Sequence, residues 1–250
     1  MKFMLKSIFL SITTLVLSSA SFAQTFESTE KPTALIELYT SEGCSSCPPA
    51  DRWLSSLKSD ERLWKDFVPL AFHVDYWDYI GWPDRFASKR YSQRQRRYAS
   101  EFSESTVYTP GVRWGGYEWR SWRRNALPDS VPVESSAVLK LSVDDNGDFV
   151  ASYDDDGTAT RLNIAILGSE LQTEVKRGEN HGRTLSHDFV VLDYQVIDVS
   201  SDGQWKGQIA EPKIQAPKYS IAVWTTESGS QLPLQATGGY LDADLWQPES

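Results

Sequence analysis

The chain has two cysteines, Cys44 and Cys47, and both lie in the stretch TSEGCSSCPPAD at residues 40–51. A C-x-x-C pair can carry two electrons by thiol–disulfide exchange, in which a thiolate attacks a disulfide sulfur. It can also supply soft ligands to copper(I), or half of a zinc site. Or it can be an inert disulfide. A staple at this spacing closes a very small loop and adds little chain-entropy stabilisation. A structural zinc site wants four ligands, and the imidazoles present are His73, His181 and His187. Thiol–disulfide exchange is therefore the leading reading, with a protein thiol or disulfide as partner and no cofactor or metal. The alternatives are a copper(I) site made from the cysteines and a histidine, and a non-catalytic interaction module with a structural disulfide.

The flanking sequence indicates what must position the pair. Thr33–Tyr39 reads as a short apolar strand broken by one acid, Glu37. A helix is expected to begin at the cysteines, with Trp53, Leu54 and Leu57 on one face. Orphan N–H groups and the dipole at such a helix start would favour a thiolate on Cys44. Cys44 would be the more exposed sulfur, and Cys47, one turn on, would resolve a mixed disulfide. Pro48 and Pro49 suit a first helical turn. A second strand, Val68–Val74, leads into an aromatic loop, Asp75–Asp84, and a second helix spans Ala87–Phe102. His73 and Asp75, two apart, project to one side of a strand and could form a relay or hold the loop. Tyr76, Trp77, Tyr79 and Trp82 read as core or as a docking surface. Arg90, Arg94, Arg96 and Arg97 read as a solvated helix face. Thr109-Pro110 is expected to be cis, ahead of a hairpin turning at Gly115-Gly116.

Residues 131–250 change character beyond Pro128 and Pro132. Segments such as SAVLKLSV, TRLNIAIL and YSIAVWTT alternate as strands, and Asp145-Asn146-Gly147 signals a hairpin. This half is expected to form an antiparallel β-sandwich-like domain, with a loose tail from Thr225. Residues 24–130 carry fifteen basic and fifteen acidic residues, while 131–250 carry eight and nineteen. That acidic balance argues against a nucleic-acid binder. Turn chemistry explains the acidic runs Asp144–Asp148 and Asp154–Asp156 better than calcium does, because they lack the order of a calcium loop. At the start, Lys2 and Lys6 precede an apolar stretch from Ile8 to Leu17 and small residues up to Ala23. This is the order of a cleavable secretory signal, cut near Ala23. It implies a periplasmic or secreted protein, where disulfides persist, with no transmembrane segment after cleavage. The expected division is then 1–23 signal peptide, 24–130 and 131–250.

Five stretches carry a resemblance: LYTSEGCSSCPPAD (38–51), AFHVDYWDYIGW (71–82), RQRRYA (94–99), VYTPGV (107–112) and RGENHGRTLSHDFVV (177–191). With these the chain resembles a family of secreted bacterial thioredoxin-like proteins known as a domain of unknown function. The resemblance implies an α/β thioredoxin-like N-terminal domain and suggests redox function. It gives Cys44 the nucleophile's role, Cys47 the resolving role and Pro110, beside Thr109, the role of a peptide-clamping cis proline. Thioredoxins also place a buried acid beneath the disulfide, a role open to Glu37. Ser45-Ser46 departs from both reducing and strongly oxidising motifs, so the direction of electron flow is left open.

Overall fold

The computed structural model describes residues 22–124, 127–129, 131, 137–154, 157–200, 203–242 and 245–246. The expected leader up to residue 21, Pro132 of the joint and Asp155-Asp156 of the second acidic run lie outside them.

The elements around the cysteines form largely where periodicity places them. Strands β1 (Phe22–Glu27) and β2 (Ala34–Thr40) precede helix α1 (Pro48–Ser56). Strand β3 (Phe67–His73) leads through a 3₁₀ segment, Asp75–Ile80, to helix α2 (Lys89–Glu101). Ser88 caps α2, its hydroxyl accepting the Arg90 N–H. The hairpin β4 (Gly111–Trp114) and β5 (Tyr117–Glu118) follows. The second half supplies β6 (Leu139–Asp144), β7 (Asp148–Tyr153), β8 (Arg161–Ser169), β9 (Leu171–Glu174) and β10 (Thr184–His187). It ends with β11 (Val190–Asp198), β12 (Trp205–Gln208), β13 (Lys218–Thr226) and β14 (Gln235–Tyr240). Asp144 closes the β6–β7 turn by accepting the Asn146 and Asp148 N–H groups.

The assembly of these elements corrects the expectation. An α/β thioredoxin-like domain followed by a separate β-sandwich-like domain is not what the chain builds. The protein is mostly β, and its main element is one eight-stranded mixed sheet in the order β14-β13-β8-β11-β3-β2-β4-β5. Strands from both sides of residue 130 share it. The join is β11 beside β3, parallel, with the Ala71 N–H donating to the Phe189 carbonyl at 2.8 Å. The contact is short, with Val190↔Ala71 as its one residue pair in register. The segment expected to be a loose tail contributes β14, paired to β13 from Ser220↔Tyr240 to Thr225↔Gln235.

Strand alternation then sorts side chains to two faces. Thr40 and His73 are paired in register, and Thr40 reaches Asp51 of α1. Glu37 and Tyr39 point the other way, toward α2. Farther along the sheet, Ala165 and Leu167 of β8 join the core under α2, which contains Tyr194 and Trp224. Leu162, Ile164 and Ile166 pack instead against a four-stranded antiparallel sheet, β1-β6-β7-β12. At β8 two cores thus meet the sheet from opposite faces.

Candidate functional site

Cys44 and Cys47 form a disulfide with a Cα–Cα distance of 5.5 Å. Cys47, not Cys44, is the residue that caps α1. Its carbonyl accepts the Ala50 and Asp51 N–H groups at 2.8 and 3.2 Å. Pro48 and Pro49 have no N–H to give. The expected orphan donors at the helix start are therefore absent or already used, and they do not hold a thiolate on Cys44. The polar neighbour of the Cys44 sulfur is instead the Ser46 hydroxyl, at 3.3 Å. The expected contrast in exposure is also missing, since Cys44 is 1% exposed and Cys47 0%.

A hairpin ties the cysteine loop down. The β9–β10 pair carries the turn that holds Glu179 and Asn180. Asn180 is buried and donates its amide to the carbonyls of Glu42 (2.8 Å) and Cys44 (3.0 Å). The Glu179 carboxylate accepts the Ser45 N–H at 3.0 Å. On the other side Gly43 lies so close to Trp77 that a Cβ there would sit 3.0 Å from the Trp77 Cβ. Only glycine fits without a shift.

Beneath the loop is a buried cluster of ionisable side chains: Glu42, Asp51, His73, Asp84 and His187. His73 Nδ1 is 2.7 Å from Asp84 Oδ2, which also accepts the Glu42 N–H. Burial disfavours the His73 imidazolium, but the charge and hydrogen bond of Asp84 outweigh it and raise its pKa. Burial likewise pushes Asp84 up, and His73 more than reverses this, so Asp84 stands below its ordinary value. The His187 ring packs edge-on to His73 at 5.0 Å, and its Nε2 lies 3.4 Å from Glu42 Oε1. Trp82 Nε1 donates to the other Glu42 oxygen at 2.8 Å.

Asp51 sits one helical turn after Cys47, buried, with the Thr40 hydroxyl donating to it at 2.8 Å. Burial raises its pKa, only partly offset by His187 and His73. A carboxyl whose folded pKa is raised loses stability as pH climbs from about 3.8 through the folded value, and the penalty then persists. Asp51→Asn keeps an acceptor for Thr40 and removes that penalty. The variant should melt a few degrees above wild type at pH 7 and level with it at pH 3.5, by calorimetry. A variant that melts lower at pH 7 would refute this account.

The other expected site residues divide. Glu37 is buried but on the face opposite α1. Arg94 Nε and Nη2 hold its two oxygens at 2.8 and 3.0 Å, and the Tyr39 and Tyr98 hydroxyls donate to it at 2.8 and 2.6 Å. Burial raises its pKa, but Arg94 and the tyrosines bring it below its ordinary value. It is a paired carboxylate, not the acid beneath the disulfide, and Arg94 is correspondingly not part of a solvated face. Asp75 does not join His73 in a relay; it accepts a short hydrogen bond from Ser92, and Asp84 is the partner of His73. The Thr109–Pro110 bond is cis. Thr109 Oγ1 accepts the Trp77 indole N–H at 2.7 Å, so Trp77 bridges the cis-proline segment and the cysteine loop. His181 is exposed, unlike these buried side chains.

Ser46, Glu42, Asp51, Asp84, Glu179 and Asn180 were not singled out from the sequence. One of them had a local signal, because Asp51 follows Cys47 by four residues and so lies on its side of a helix. Glu42 and Ser46 stand in the cysteine loop itself, while Asp84, Glu179 and Asn180 arrive from distant chain. Among the described residues no group of three or more His, Cys, Asp or Glu side chains is arranged to hold a metal ion. The expected set of Cys44, Cys47 and His73 is not such a group. No helix among the described residues is long and apolar enough to cross a membrane.

Comparison with known proteins places this architecture. No curated protein matches the chain. The X-ray crystal structure of protein AGR_C_4864 from Agrobacterium tumefaciens is similar, with 23% identity and a TM-score of 0.56, over 89% of this chain and 98% of that one. HBP35 of Porphyromonas gingivalis is similar at 14% identity and a TM-score of 0.55, over 90% of this chain and 77% of that one. At these identities the likeness is one of fold alone. Residues 35–226, from β2 through β13, match the family described as "Protein of unknown function (DUF1223)". The cysteine loop, the aromatic segment and the hairpin that covers the disulfide all fall within that span, and the chain belongs to the DUF1223 family.

Proposed function

We propose that the protein is an exported thiol–disulfide oxidoreductase working through Cys44 and Cys47. The observation that carries the reading is the Cys44–Cys47 disulfide at a loop–helix junction, set against a buried group of acids and histidines. A disulfide spanning three residues stabilises little as a staple. A staple also has no use for costly buried ionisable groups beside it, whereas sites that move protons do. In the oxidising direction a substrate thiolate attacks Cys44 Sγ, the Cys44–Cys47 bond breaks, and Cys47 leaves as a thiolate. A second substrate thiolate then attacks the mixed disulfide. The substrate becomes a disulfide, and Cys44 and Cys47 become thiols carrying its two electrons. Asp51, buried and one turn from Cys47 on its side of α1, is the group suited to relay a proton to the departing Cys47 sulfur.

Both sulfurs are buried, so exchange requires the loop around Cys44 to move from beneath the hairpin. Cys47 is fixed by the helix it caps, while Cys44 is held mainly through Asn180. Asn180→Ala removes two buried hydrogen bonds, each contributing about 1 kcal/mol. Reduction of the disulfide by dithiothreitol, followed by thiol alkylation, should accelerate by up to about thirtyfold. An unchanged rate would mean that the hairpin does not limit access.

The reading itself is tested by turnover of scrambled ribonuclease or insulin, with the reduction potential of the couple. Exchange activity and a potential within the range of known oxidoreductases, roughly −120 to −270 mV, are expected. No turnover together with a potential below about −300 mV would identify a structural disulfide and overturn the proposal.

A further inference from the structure

Beside the cis proline lies an open cleft of about 390 Å³, lined by the segment from Tyr108 to Pro110 with Val112, and by Trp119, Arg120, Trp122 and Arg123. Its size falls in the range of ligand-binding clefts. It is joined to the disulfide at two points. Thr109 is hydrogen-bonded to Trp77, which packs on Gly43 of the cysteine loop. Trp119 and Trp122 both pack on Trp53 of α1, with ring centroids 5.7 and 5.5 Å apart, and α1 is the helix that Cys47 caps.

The charge of the cleft is one-sided. Its lining contains two arginines and no carboxylate. At its edge the chain shows how a carboxylate is received there. Glu118 accepts Arg120 Nε at 2.9 Å and a short hydrogen bond from the Tyr108 hydroxyl. The Arg120 side chain is nonetheless 77% exposed, leaving most of its guanidinium open to solvent. Arg123 lies over the face of Trp122, 4.7 Å from the ring centroid. Among the described residues it has no carboxylate within ion-pair distance. Arg124 is exposed next to it. Arginine stacked on an aromatic ring is well suited to bind a carboxylate while the ring takes apolar contact. Tyr108 is 38% exposed at the same place, one of five exposed large hydrophobic side chains among the described residues.

We infer that this cleft docks an acidic polypeptide segment of the redox partner, whose carboxylates pair with Arg120 and Arg123 and whose apolar side chains lie against Trp119, Trp122 and Pro110. The inference rests on the exchange reading for its place in a reaction, but the binding itself can be measured apart from it. The probe is a fluorescein-labelled octapeptide of alternating glutamate and tyrosine, with a lysine–tyrosine octapeptide as its counterpart. Both are titrated against the oxidised full chain by anisotropy, and the tryptophan emission is followed. The acidic peptide should bind, perturb the emission and weaken as salt is raised. The double substitution R120E/R123E should weaken it at least about tenfold and create binding of the lysine peptide. Both arginines are exposed, so the variant should fold, which circular dichroism and the melting temperature check. Equal binding of the two peptides by wild type, or acidic-peptide binding unchanged in the double variant, would overturn the inference. Discriminating binding by a chain without exchange activity would sink the redox reading alone. Exchange activity without discrimination would sink the docking inference alone.

Discussion

Cys47→Ser is expected to leave the protein covalently joined to its partner, as a mixed disulfide through Cys44 that survives non-reducing electrophoresis and disappears on reduction. Cys44→Ser should give no such adduct, and both substitutions should drop exchange activity to background. The asymmetry follows from how the two residues are held. The Cys47 carbonyl takes part in the first hydrogen bonds of α1, and its residue is fully buried. Cys44 lies in the turn ahead of the helix, and the main bond restraining it from outside that turn comes from Asn180. The sulfur that can reach a macromolecular partner is the one whose loop can lift. The Ser46 hydroxyl, 3.3 Å from the Cys44 sulfur, is placed to donate to a thiolate there. Adducts formed by Cys44→Ser in place of Cys47→Ser would reverse the roles, and adducts from neither would remove the covalent mechanism.

Arg94→Met should be the most damaging single change to stability. Its guanidinium and the Glu37 carboxylate are both buried, with side-chain exposures of 1% and 0%. Removing one partner strands the other charge and costs about 3–5 kcal/mol. For a chain of this size that is a fall in melting temperature of roughly 6–20 °C. Arg94 also donates to Tyr194 and Gln231 at 3.0 and 3.1 Å, so further acceptors lose a partner. Replacing both members, as Glu37→Leu with Arg94→Met, should recover much of the loss because no buried charge is left alone. The pH dependence has a definite sign. The folded pKa of Glu37 lies below its ordinary value of 4.5. Its stabilisation is therefore present above pH 4.5 and is lost as pH falls through the folded value. A melting temperature for Arg94→Met within 2 °C of wild type would contradict this account.

Particular residues mark how far the sequence could be read. The strand before the cysteines, the two helices and the β4–β5 and β6–β7 hairpins were legible because each rests on spacing within about fifteen residues. Glu37 was legible as an acid interrupting an apolar strand but not as the partner of Arg94. Alternation says which side chains share a face of a strand, but not which face receives which helix. Asp75 looked like the partner of His73 because the two are neighbours in sequence. The true partner, Asp84, returns to His73 only after the aromatic segment has folded back. Strand β14, QATGGY, reads as tail because its glycines lack side chains to show a pattern. Here they allow close packing: a Cβ on Gly238 would lie 2.3 Å from the Ile221 carbonyl oxygen, and one on Gly239 would lie 2.7 Å from the Phe26 ring.

By itself the sequence determined the chemistry on offer. It fixed one C-x-x-C pair, the turn and helix signals around it and the proline segment at Thr109-Pro110, because these are local facts of residue type and spacing. The tertiary structure alone decided that strands from both halves share one sheet. It also decided that Asp51, with Glu42 and Asp84, rather than Glu37 supplies the buried acids on the disulfide's side, and that a hairpin more than 130 residues away covers Cys44. Those outcomes depend on which strand edges meet and which faces are buried. Such choices are settled by the whole chain's burial of apolar surface and pairing of backbone groups, and no window of sequence contains them.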